Sequence, residues 1–114
     1  MQSDFAVRAL GALAQEHRLA AYRLLVQSGA SGVAAGALAE ALAVPASSMS
    51  FHLSQLINAG LATQRRAGRS IIYSADYKAM SALMNYLTEN CCGGAECETL
   101  VVCEPAAPSA RGIA

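Results

Sequence analysis

The stretch between Pro45 and Gly60 constrains the fold of this chain more than any other part of it. Proline suits the start of a helix, where its missing N–H is not needed, and glycine is common just past a helix end. Between them Met49, Leu53, Leu56 and Ile57 recur at helical spacing, so a helix running to about Ala59 is predicted. Pro45 also interrupts what precedes it. Ala35 to Ala43, with Leu38 and Leu42 four apart, is predicted as a short helix, leaving only a tight turn between the two. Beyond Gly60 the pattern changes. Ala62-Thr-Gln-Arg-Arg, then Ala67-Gly, then Arg69-Ser-Ile-Ile-Tyr-Ser reads as two strands around a tight turn.

The flanking segments are helical. Ser3 and Asp4 suit the cap of a first helix to about Ala14, with Phe5, Leu10 and Leu13 as its larger apolar residues. A second helix fits 16–28, where Leu19, Tyr22, Leu25 and Val26 form a stripe, and Ser28-Gly-Ala-Ser-Gly32 breaks it. Asp76 is placed to cap a fifth helix through about Glu89, with Met80, Leu83, Met84 and Leu87 on one apolar face. The fold class expected is mainly α with a small β-hairpin, in the order α-α-α-α-β-β-α. That is a winged helix-turn-helix, in which the second helix of the pair enters the major groove and the hairpin touches the DNA backbone or minor groove. Residues 1–90 are read as the DNA-binding and dimerisation domain, 91–104 as a cysteine segment and 105–114 as a disordered tail.

Composition supports this reading. A chain of 114 residues makes one domain, small enough that a partner subunit would help it. Although 54% of residues are hydrophobic, no apolar run approaches the roughly 18 residues of a membrane span. No basic segment followed by an apolar one marks a secretory signal, so a cytoplasmic location is expected. Formal net charge is zero, but residues 1–88 carry seven basic and four acidic side chains, against one and four in 89–114. A basic body is compatible with nucleic acid, as it is with an ordinary solvated surface.

The candidate DNA-contacting residues are Ser47, Ser48, Ser50, His52 and Gln55 on the fourth helix and Arg65, Arg66 and Arg69 on the hairpin. The first group is small and hydrogen-bonding, which permits close approach to base edges and phosphates. The arginines suit phosphates or a narrow minor groove. Each has a plainer alternative: serines that only cap a helix, a histidine packed between helices, a charged strand edge that resists aggregation. The conjunction in this order favours double-stranded DNA.

Four cysteines lie at Cys91, Cys92, Cys97 and Cys103. Adjacent Cα atoms are about 3.8 Å apart, below the roughly 4.4 Å usual for a disulfide, so Cys91 and Cys92 are poor partners for each other. In a reducing cytosol thiols more often bind metals or sense redox state than form structural disulfides. Two neighbouring thiolates suit one soft ion, and Gly93 and Gly94 would let the chain bring Cys97 to it. Cys103 is a fourth thiol that could join or be spare.

The residues just quoted also resemble a known family. Leu13-Ala-Gln-Glu-His-Arg-Leu-Ala-Ala-Tyr-Arg-Leu-Leu25, the run Leu38 to Leu61 with its Ser50-Phe-His-Leu-Ser-Gln-Leu core, and Arg65-Arg-Ala-Gly-Arg-Ser-Ile-Ile-Tyr73 resemble the ArsR/SmtB repressors over about residues 5–90. The resemblance implies a homodimer, expected through the first and fifth helices, that releases operator DNA when a metal or metalloid binds. It implies no catalysis and no required cofactor. Many arsenic sensors of that family carry Cys-Val-Cys in the third helix, whereas Gly32–Glu40 here has no cysteine. The fifth-helix zinc ligands are also missing, apart from acidic residues at its two ends. Thr88-Glu-Asn-Cys-Cys92 followed by Cys97 resembles instead the arsenic repressors with a relocated site. There, trivalent arsenic takes three thiolates in a pyramid.

The implied inducer is arsenite, As(III), with Sb(III) or methylarsenite as alternatives. Zinc, cadmium or lead, a thiol-based redox sensor on the same cysteines, and no ligand at all stay open. An arsenate reductase would need an oxyanion cradle, and no phosphate-binding loop or catalytic histidine lies near the cysteines.

Overall fold

The computed structural model describes residues 3–94. Five helices run in the expected order: α1 (Ser3–Leu13), α2 (Glu16–Ser28), α3 (Ala35–Leu42), α4 (Ala46–Asn58) and α5 (Tyr77–Leu87). Their ends differ from the predicted ones by a residue or two, as frayed termini do. The tail at 105–114, with Cys97 and Cys103, lies outside the described residues.

The sheet has one strand more than the sequence suggested. β1 (Val33–Ala34) pairs antiparallel with β3 (Ser70–Ala75), which pairs with β2 (Ala62–Ala67), giving the order β1-β3-β2. A two-residue strand has no period to read. Gly32 lets the chain reach β3. Its φ is +76°, and a Cβ there would lie 2.6 Å from both the Tyr73 carbonyl oxygen and Ser74 Oγ. At the far end, Ala67 pairs with Ser70 across Gly68-Arg69, and Gly68 has φ +64°. Glycine suits the first position of the primed two-residue turns that match strand twist.

Leu25, Leu38, Met49, Leu53, Leu56 and Leu61 are the largest fully buried side chains. They come from α2, α3, α4 and the residue leading into β2, so the helix-turn-helix is built into the core. The Asp76 side chain caps α5 by accepting from the Ala79 N–H at 3.1 Å, as its position in sequence suggested. Tyr77 ties the same end of α5 to α2, its hydroxyl donating to the carbonyls of Leu25 (3.2 Å) and Val26 (3.0 Å).

The apolar face of α5 is only partly covered. Leu83 is buried, but Met84 and Leu87 are exposed, as are Val7 and Leu10 on α1. Among the described residues no helix is long and apolar enough to cross a membrane.

Gly32 and Gly36 make a matched test. Gly32→Ala would force a strained backbone and a clash with β3, lowering stability by about 1–3 kcal/mol. Gly36→Ala adds a Cβ that meets nothing within 4 Å inside α3, and a gain of about 0.5–1 kcal/mol is expected. Urea unfolding of the two variants checks both signs.

Candidate nucleic-acid interface

α4 buries Met49, Leu53 and Leu56 completely and Ile57 in part, which fixes its rotation. Ser47 and Ser50 are exposed, and Ser48 is half-buried beside them. No side chain caps the start of α4 at Pro45, so Ser47 and Ser48 do not act as caps there. The N–H groups of the first turn lack intrahelical acceptors, which makes this end of the helix a donor surface for phosphate oxygens.

Phe51 was not among the residues singled out from sequence. It is 58% exposed at the middle of the outward face. The signal was available: position 51 is two residues from both Met49 and Leu53, which places it opposite them on a helix. An aromatic ring among serines is suited to contact thymine methyl groups. Ser54, also exposed, spends its hydroxyl on the Phe51 carbonyl at 2.8 Å.

His52 and Gln55 sit on the flank of α4 that faces α1 and α2. The Arg18 backbone N–H donates to Gln15 Oε1 at 2.9 Å, and its Nε donates to the Ala12 carbonyl at 2.7 Å. Arg18 Nη1 lies 3.4 Å from His52 Nδ1. The His17 and His52 rings are 5.6 Å apart, and Phe51 is 5.9 Å from His52 on the other side. His52 is therefore a packed residue bordering the outward face. Burial pushes its imidazole below the ordinary 6.5, and the positive charge of Arg18 and the neighbouring His17 act in the same direction.

The three hairpin arginines differ in position. Arg69 is in the loop and Arg66 is one pair from it, opposite Ile71. Arg65 stands opposite Ile72 and donates from Nη2 to the Ser31 carbonyl at 3.0 Å, which ties the hairpin to the turn after α2. All three are exposed.

Past α5 the chain reverses tightly. Asn90, Cys92 and Gly93 all have positive φ, at 58°, 58° and 66°. The Cys91 N–H donates to the Thr88 carbonyl at 3.0 Å, and a 3-10 turn spans Cys91–Gly94. Cys91 is half-buried and Cys92 exposed, and they are not joined in a disulfide. Gly93 turns as the sequence suggested, but Cys92 shares that role. Among the described residues no three His, Cys, Asp or Glu side chains stand together as a metal-binding group.

Two tests follow from this geometry. Leu53→Ala empties a fully buried site and should lower stability by about 2–5 kcal/mol, whereas Phe51→Ala should leave the unfolding midpoint nearly unchanged and weaken DNA binding. Thermal unfolding paired with a DNA-binding assay separates the two. His52 also gives a pH signature. Its folded pKa is depressed, so the unfolded chain binds more protons, and stability falls as pH drops below about 6.5 toward the folded value. The fall in Tm between neutral and mildly acidic buffer should be smaller in His52→Gln.

Comparison with known proteins agrees with this architecture. A family profile described as a helix-turn-helix domain matches residues 13–65. No curated protein matches the chain by sequence. Among solved structures, the homodimeric winged helix-turn-helix domain of Mb0332 from Mycobacterium bovis, described as "a possible ArsR-family transcriptional regulator", is 30% identical. It aligns over 76% of this chain and 81% of its own, with a TM-score of 0.61. A "possible transcriptional regulator for arsenical resistance" is also 30% identical, over 69% of this chain and 79% of its own, with a TM-score of 0.62. Reduced HlyU from Vibrio cholerae N16961 is 26% identical over 79% and 92%, with a TM-score of 0.62. With a helix-turn-helix match and 30% identity over two thirds or more of both chains, this chain belongs to the ArsR family of winged helix-turn-helix transcriptional regulators, which act through a DNA-binding helix-turn-helix.

Proposed function

We propose that the protein is a homodimeric repressor that leaves its operator when trivalent arsenic or antimony binds Cys91, Cys92 and Cys97. The observation that carries this reading is the position of the cysteine pair. Cys91 and Cys92 follow α5 within one tight turn, and α5 with α1 presents exposed Met84, Leu87, Val7 and Leu10. α1 packs on α5, and exposed apolar side chains on neighbouring helices of this kind mark association surfaces. A second copy, pairing α1 and α5 with their equivalents, is the occupant this reading assigns. The homodimeric relative supports it.

The chemistry suits the ion. Arsenite exchanges its three hydroxyls for three cysteine sulfurs; each thiol gives its proton to a departing hydroxyl, so three waters are released and a neutral pyramidal centre is left. Soft thiolate donors favour soft centres, and zinc would want a fourth ligand, for which Cys103 is the candidate. Binding must favour a dimer arrangement whose two α4 helices no longer match half-sites about one helical turn apart. A 100-fold preference for that arrangement is worth about 3 kcal/mol, enough to empty most operators.

A redox reading uses the same reader and the same thiols. The exposed Cys92 thiol favours it, as does the relative described in its reduced form. Oxidation would join Cys92 to Cys97 or Cys103 with loss of two protons and two electrons.

Operator duplex selected by binding from a random-sequence pool decides between the readings. Arsenite should release the wild-type protein at low micromolar-to-stoichiometric levels, and Ser at 91, 92 or 97 should abolish release while sparing DNA binding. Cys103→Ser should respond normally. Release by peroxide with a two-proton mass loss, and none by arsenite, would transfer the site to the redox reading. On the hairpin, Arg66→Ala should weaken binding to every sequence. It should flatten the salt dependence by about 0.9 per lost phosphate contact, so about two for a dimer.

A further inference from the structure

A cavity of about 280 Å³ lies between α1, α2 and α4, walled by Arg8, Gly11 and Ala12, by Arg18, and by Gln55 and Asn58. Two arginines and two amide residues are among its lining residues, with Ala59, and no acidic residue is. Arg18 is held in the wall by its bonds to the Ala12 carbonyl and toward His52, neither of which cancels its charge. Asp4, one turn before Arg8, lines a separate hollow with it, and an exposed i,i+4 pair of this type is worth only a few tenths of a kcal/mol, too little to hold Arg8 from an anion.

Gly11 adds an independent observation. A glycine inside a helix costs about 0.5–1 kcal/mol relative to alanine. Among the described residues of one subunit, no contact requires it, since a Cβ at Gly11 meets no atom within 4 Å. Its effect is to leave the cavity wall open to a close approach. The cavity is also continuous with the outward face of α4. Phe51, Gln55 and Asn58 fall at i, i+4 and i+7, a single stripe. From Phe51 to Asn58 the helix rises roughly 10 Å, comparable to the roughly 12 Å width of the major groove. A duplex read by the start of α4 would carry one of its backbones past the cavity.

We propose that this cavity seats one backbone phosphate of the bound duplex in each subunit, with Arg8 and Arg18 as its charged donors and Gln55 and Asn58 as its amide donors. The inference rests on α4 entering the groove. It adds α1 to the DNA-contacting surface, beyond the helix pair and the hairpin.

The test uses the full chain and mixed-sequence duplex DNA, with affinity measured across a salt series. Arg8→Ala should weaken binding to all sequences and reduce the salt slope by about 0.9 per subunit, close to two units for a dimer. Lys78→Ala, which removes the same charge from α5, should leave the slope nearly unchanged. Gly11→Gln fills the opening without changing charge. It should raise the unfolding midpoint, because glutamine is the better helix former, and reduce the slope as Arg8→Ala does. An unchanged slope in Arg8→Ala or Gly11→Gln, with DNA still bound, overturns the proposal. So does a thermal stabilisation by inorganic phosphate that Arg8→Ala abolishes while its slope stays at the wild-type value, because the cavity is then a small-anion site. Absence of any DNA binding by the wild-type protein would sink the regulator reading itself, a different failure from that of the cavity.

Discussion

The burial of one stripe of α4 governs this structure. Met49, Leu53 and Leu56 are sealed against α2, α3 and Leu61, and that contact sets both the angle of the helix and its rotation about its axis. The outward face of α4 follows from it. Ser47, Ser50 and Phe51 face outward because the opposite side is fixed, and Gln55 and Asn58 follow the same stripe round to the α1 cavity. Rotating α4 by one residue would turn Met49 and Leu53 outward and serines into the core, with several kcal/mol lost at each exchanged site.

Much of this was legible in sequence, for identifiable reasons. Pro45 and Gly60 mark the ends of α4, and the leucine spacing gives its buried face without ambiguity. Asp76 announces the start of α5 and is found capping it. The features that sequence did not disclose depend on contacts between distant segments. β1 exists because Gly32 tolerates a close approach to β3, and two residues carry no periodic signal. For His52 the sequence left DNA contact and packing between helices both open, since nothing local reveals that Arg18 and His17 close on it from α2. The partner of Arg65 lies thirty-four positions away, at Ser31. Phe51 was legible by position and overlooked by chemistry, because an apolar residue on a polar face is easily passed over.

The cysteine turn shows a different balance. Adjacent thiols in a strained turn are poorly suited to structural bonding, and Cys92 adopts a left-handed conformation that costs an L-residue about 1–2 kcal/mol. That conformation sits where the chain leaves α5 rather than in the core.

Tyr77 gives α5 an asymmetric attachment. Its hydroxyl bridges the carbonyls of Leu25 and Val26 at the end of α2, while the Asp76 N–H donates to the Leu61 carbonyl at 2.8 Å. The first turn of α5 is thus bolted to α2 and to Leu61, and its last turn ends at exposed Leu87, four residues before Cys91. Mechanically, hydrogen bonds pin the first turn, while further along the apolar contacts of Leu83 and Tyr86 hold the helix to the core. An eleven-residue helix is about 16 Å long, so a 2 Å sideways displacement of its tip is a rotation of roughly 7° about the pin. The pin joins α2, and α2 packs on α4, so under the proposed repressor reading a small movement near the thiols would reach α4 as an angle rather than a shift. For two α4 helices on one duplex, as that proposal has them, angle is the quantity that decides docking.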